Sequence, residues 1–82
     1  MNRDTLNRYL AAVLTTLRES DDEAPSGILY AALMAHGCSH GDFMTVQAML
    51  VSSGLATLDG DMLALTDAGR AIADKINAAI AA

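Results

Sequence analysis

The sequence predicts a mainly α fold with one small β-hairpin (α+β), ordered helix, helix, helix, hairpin, helix, in a single domain over residues 1–82. Three features carry this expectation. Apolar residues recur at three- and four-residue steps in several stretches, as they do in helices with one buried face. Two short apolar runs flank Asp59-Gly60-Asp61, a hairpin turn signal. Pro25, Gly37 and Gly54 fall between the periodic stretches, where a chain changes direction.

Leu6, Leu10, Val13, Leu14 and Leu17 form the stripe of a first helix from about residue 3 to 19, with Arg8, Thr15 and Glu19 opposite. Asn2, Asp4 or Thr5 offers its cap. Asp21, Asp22 and Glu23 precede the only proline, so Ser20 to Gly27 reads as a solvated connector, with Pro25 in the first turn of a second helix. Ile28, Leu29, Leu33 and Met34 are that helix's apolar stripe, and Gly37 is its left-handed stop. Ser39, followed three residues on by Asp42, fits a capping pattern that opens a third helix from about 40 to 53, ended by Gly54. Leu55 to Leu58 and Met62 to Leu65 are the hairpin strands. Thr66 caps the last helix and Asp67 suits its positive end. Ala68, Ile72, Ile76 and Ile80 supply its core line, and Ala71, Ala73, Ala78, Ala79, Ala81 and Ala82 give it a small-residue surface.

The composition is 52% hydrophobic and 18% charged, which is globular rather than disordered. A domain this small buries only about 60% of its unfolded surface, so the core is marginal and gains from a partner. The longest unbroken apolar run, Ile28 to Ala35, is far short of a membrane span, and Met1-Asn2-Arg3-Asp4 opens no apolar leader. One cysteine cannot close an internal disulfide. The expectation is a cytoplasmic protein without a membrane partner.

Ser39 through Leu50, then Gly54-Leu55, then a hairpin closing on Leu65-Thr66-Asp67-Ala68-Gly69-Arg70 resembles the winged helix-turn-helix superfamily, of the MarR and PadR type, over roughly residues 25 to 75. The resemblance implies a recognition helix, a Gly-Leu exit, a wing, and a Leu-Thr-x-x-Gly-Arg entry to the final helix. It implies a DNA-binding transcriptional regulator that dimerises through its terminal helices, and it places Leu55 and Leu65 in the core. A two-residue hairpin turn groups Ala56, Leu58, Leu63 and Leu65 on one face, whereas a three-residue turn groups Leu55, Leu63 and Leu65 and leaves Leu58 and Met62 outside. The resemblance favours the second.

Charge argues against inheriting the DNA-binding role. Phosphate contacts supply most of the affinity for a duplex and need cations. The basic residues are Arg3, Arg8, Arg18, Arg70 and Lys75, and none lies between Glu19 and Gly69. That stretch carries Glu19, Asp21, Asp22, Glu23, Asp42, Asp59, Asp61 and Asp67, within a net charge of −5 and a pI near 4.5. Thr45, Gln47 and Ser52 are of the types that contact bases, but no cation positions them. On a helical wheel, Phe43, Val46 and Leu50 point inward. Gly41, Thr45, Ala48 and Ser52 lie opposite, flanked by Met44 and Val51 on one side and Met49 on the other.

The favoured function is therefore a small non-enzymatic winged helix-like module acting through protein contacts, as a homodimer or a regulatory or inhibitory subunit. Met44, Thr45, Ala48, Met49, Val51, Ser52, Leu58 and Met62 form its contact surface. The first alternative is a winged-helix DNA-binding regulator, disfavoured by charge. The second is an acidic nucleic-acid mimic that blocks a basic partner protein.

His36-Gly37-Cys38-Ser39-His40 gathers three metal-ligand types at one turn, but the spacing matches no standard zinc pattern and only Asp42 is near to complete a site. The cluster reads as two exposed turn histidines and a part-buried thiol, so no metal or other cofactor is expected. Cys38 beside a histidine has the makings of an activated thiolate. No phosphate loop or nucleophile elbow accompanies it, and a domain of this size has little room for a substrate pocket, so the expectation is not an enzyme.

Overall fold

The computed structural model describes residues 1–81. Among these, α1 (Arg3–Glu19), β1 (Glu23–Pro25), α2 (Ser26–Met34), α3 (His40–Ser52), β2 (Ala56–Asp59), β3 (Met62–Leu65) and α4 (Asp67–Ala81) follow in order. The fold is mostly helical, with a small antiparallel sheet of order β1-β3-β2. Leu17, Leu29, Val46, Leu50 and Leu63 are fully buried where the helices meet the sheet, with Tyr9, Phe43 and Cys38 beside them.

Local chemistry sets the helix ends. Asn2 Oδ1 accepts the Thr5 N–H at 2.8 Å and Ser39 Oγ accepts the Asp42 N–H at 3.1 Å, so each side chain satisfies one orphan donor of a first turn. At the other ends the chain turns left-handed. Gly54 (φ 77°) donates to Val51 O at 3.1 Å while Leu55 donates to Leu50 O at 3.0 Å, a Schellman closure that also carries Leu55 back toward the core. Gly37 closes α2 in the same way, with Cys38 donating to Leu33 O at 3.3 Å. After α1 the left-handed positions are Asp21 and Asp22 (φ 59° and 73°), and Asp22 donates to Leu17 O at 2.8 Å.

The acidic connector is not a free loop. Its second half is β1, paired with β3 in the register Glu23↔Ala64, Ala24↔Leu63, Pro25↔Met62. A residue before proline is biased to extended backbone, and Pro25 is itself extended (φ −60°, ψ 137°), so the chain is already strand-shaped when it reaches β3. Leu65 N–H to Asp22 O (2.8 Å) and Ser26 N–H to Asp61 O (2.7 Å) bracket the ladder. Pro25 therefore sits at the cap of α2, not within its first turn. On α2 only Leu29 and Leu33 are buried, while Ile28 and Met34 of the expected stripe face outward.

The hairpin adopts the two-residue register, correcting the three-residue expectation. Ala56 pairs with Leu65, Leu58 with Leu63 and Asp59 with Met62, around Gly60-Asp61 with Gly60 at φ 63°. Leu55 packs against the core from its position before β2, so no register shift is needed to bring it there. Leu58 falls on the inward face but at its open end, 41% exposed, and Met62 is half-buried rather than outside.

The last helix is rotated from its expected line. Gly69 and Ala73 are its buried residues, Ile76 is half-buried, and Ala68, Ile72 and Ile80 are exposed, Ile80 at 75%. The cause is a close approach: a Cβ on Gly69 would collide with the Leu55 carbonyl and press on Leu65. Only the smallest residue fits that crossing, so it and Ala73 one turn later face inward and the isoleucines take the flank. Ala82 of the expected small-residue surface lies outside the described residues.

Gly69→Ala is expected to lower stability by about 1 to 3 kcal/mol, since backbone rather than a flexible side chain must give way. Thermal denaturation followed by circular dichroism measures it; an unchanged midpoint would refute the close-approach explanation.

Candidate functional site

In α3, Met44, Gln47, Ala48 and Val51 stand at i, i+3, i+4 and i+7 and share one face. Because β2 folds back beside that face, these four residues, Ser52 and Leu58 line a shallow groove of about 320 Å³. No lysine or arginine is among them. Met44, Val51 and Leu58 are large exposed apolar side chains, and Ala48 and Ser52 keep the floor open to a close approach. Gln47 differs from its neighbours. It is 7% exposed, and its Oε1 is buried with no hydrogen-bond partner. An amide oxygen left so costs roughly 1 to 3 kcal/mol relative to a satisfied one.

The structure divides the residues predicted to make contacts. Met44, Ala48, Val51, Ser52 and Leu58 come together in this groove. Thr45 is exposed on the outer side of α3 and its hydroxyl donates to Gly41 O at 3.1 Å. Met49 faces away, into a larger apolar groove of about 470 Å³ between α1, the end of α3 and α4, which Ser52 also borders. Met62 lines neither groove; it pairs with Asp59 on one side and Pro25 on the other. Gln47, read from sequence as a base-contacting type, is instead a buried wall residue. Its place on the wheel beside Phe43 and Leu50, at i+4 and i−3, is the available signal.

Two cations are engaged at the corner where α1, β1 and α4 meet. Arg18 donates to Asp22 Oδ1 and Oδ2 (2.8 and 3.0 Å) and, through Nε and Nη2, to Asp74 (3.0 and 3.3 Å). Hydrogen bonds to Asp74 first and Asp22 second raise its pKa further above the ordinary arginine range. Arg70 pairs with Asp67 and approaches Asp22 at 3.9 Å, while its Nη1 donates to Leu65 O. Asp22 thus joins both arginines. Sequence reading passed it over, although its i, i+4 spacing from Arg18 was visible.

His36, Cys38 and His40 do not converge. Cys38 is buried and its thiol donates to Ser39 O at 3.5 Å. Burial pushes its pKa up, and Asp42 adds to the shift, which is the reverse of an activated thiolate. His40 is exposed, with its ring set edge-on against Tyr30 at 5.4 Å, and His36 borders a small hollow with Arg8, Tyr9, Ala12 and Leu33. Among the described residues no three His, Cys, Asp or Glu side chains are placed to hold a metal ion. None of the described helices is long and apolar enough to cross a membrane.

Comparison with known proteins finds no matching family model, no matching curated protein and no matching solved structure.

Cys38 in the folded protein is expected to react with iodoacetamide at least about tenfold more slowly than in denaturant, because the reactive thiolate is suppressed by burial. Mass-spectrometric time courses measure this; equal rates would place the thiol in solvent.

Proposed function

We propose that this chain is a non-enzymatic winged helix-like module whose α3 and hairpin dock against protein rather than nucleic acid. The observation that carries the reading is the groove itself: apolar, cation-free, and built from the helix and wing that a duplex would otherwise meet. The order of helices and hairpin supports the winged helix part of the proposal, and β1 adds a strand to the wing. A phosphate backbone brought to this face meets Asp59 and Asp61 on the hairpin and no compensating lysine or arginine in the groove.

A second observation favours self-association through the other side. Ile72 and Ile76 border the groove between α1 and α4, and Ile72 and Ile80 are exposed on one flank of α4. Covering that stripe with a second copy removes apolar surface that a small domain gains from burying. The module is then a homodimer presenting two α3 faces to its target, in keeping with a regulatory or inhibitory subunit.

Mobility-shift titration on mixed-sequence duplex is expected to show no retardation at micromolar protein, even at low salt. Tight binding with a steep salt dependence would replace the proposal with a DNA-binding regulator. Sedimentation at micromolar concentration is expected to give a dimer, and Ile72→Asp a folded monomer; a wild-type monomer would remove the homodimer while leaving the α3 face untouched.

A further inference from the structure

We infer that the groove between α3 and β2 receives a cationic, amphipathic peptide segment of another protein, which seats a large apolar side chain there and gives a hydrogen bond to Gln47. The inference rests on the protein-docking reading above and names the chemistry of the partner. Three independent observations define that chemistry. Met44, Val51 and Leu58 form an apolar groove of about 320 Å³, enough for a large side chain, and Met44 can adjust its shape to it. Gln47 is among the residues lining the groove and its Oε1 is buried without a partner, so an N–H or O–H brought to it supplies what the fold lacks. Asp59 directly follows Leu58 on β2 and Asp61 lies in the adjoining turn, both exposed, with no lysine or arginine lining the groove. An acidic end beside an apolar seat selects a segment whose large apolar residue is flanked by Lys or Arg.

The test presents the full chain to a phage-displayed library of random peptides, then titrates the strongest selected peptide against wild type, Leu58→Asp, Met44→Glu and Gln47→Met. Selected peptides are expected to carry a large apolar residue flanked by Lys or Arg, and to bind more weakly as salt rises. Leu58→Asp and Met44→Glu change exposed residues, so the fold persists while binding falls by about a hundredfold or more. Gln47→Met is the discriminating variant. It raises the melting temperature, because a buried unpaired amide is gone, and yet weakens the peptide by about tenfold. Peptides lacking cations whose binding is still lost with Leu58→Asp would overturn the cationic segment and leave the docking face standing. Binding indifferent to both Leu58→Asp and Met44→Glu would overturn the docking face as well. Failure to select any peptide, or self-association abolished by Leu58→Asp, would overturn the inference, the second by showing that another copy of the chain fills the groove.

Discussion

Thr66 ties the end of α3 to the start of α4, and the placement of the hairpin depends on it. Its hydroxyl donates to Gly54 O at 2.6 Å and accepts the Gly69 N–H at 3.1 Å, while its own N–H donates to Leu55 O at 3.1 Å. One side chain thus caps α4 and closes the loop that leaves α3. The tie holds only if α4 comes within contact of Leu55, which the missing Cβ of Gly69 permits. With both ends of the hairpin held, β2 has one direction to run, back along α3, and the groove is the space that remains between them.

A second anchor fixes the opposite edge of the sheet. Asp22 joins Arg18 of α1 and Arg70 of α4 through its carboxylate, and its carbonyl takes the Leu65 N–H, so the turn after α1 is drawn onto β3 and β1 follows as a strand. Exposed ion pairs contribute little singly, but here one carboxylate serves two arginines from separate helices, and the geometry is shared with the backbone. These arginines are engaged with carboxylates at this corner and are not among the groove residues. The face formed by α3 and the hairpin consequently keeps the negative charge of its own aspartates.

The groove sets apolar shape beside charge of one sign and a single unsatisfied acceptor. In the proposed complex such a surface discriminates by chemistry more than by area: apolar seating gives affinity, aspartates choose the sign of the flanks, and an occupant that brings a donor relieves the unpaired amide. The turn that carries His36, Cys38 and His40 plays no part in it. Its cysteine contributes to the core as a small hydrophobe, and one of its histidines packs on Tyr30.

Whatever depends on a few neighbouring residues was legible in the sequence. Asn2, Ser39 and Thr66 act as caps, Gly37 and Gly54 stop helices, and the span of α1 and the inward line of α3 follow from periodicity, because each is settled by backbone hydrogen bonds within one turn or by a repeat of 3.6 residues. Five of the eight expected contact residues meet in one groove for the same reason: they share one face of α3 or stand on the strand beside it. Tertiary structure alone decided the rest. Whether Glu23 to Pro25 is loop or strand depends on β3 lying beside it, and the rotation of α4 depends on the close approach of Gly69 to Leu55, residues distant in sequence. The hairpin register depends on Leu55 reaching the core by another route, and the orphaned amide of Gln47 exists only once the chain has folded around α3. Local rules rank the residues able to be buried, but which of them are is chosen by the surface that arrives from elsewhere in the chain.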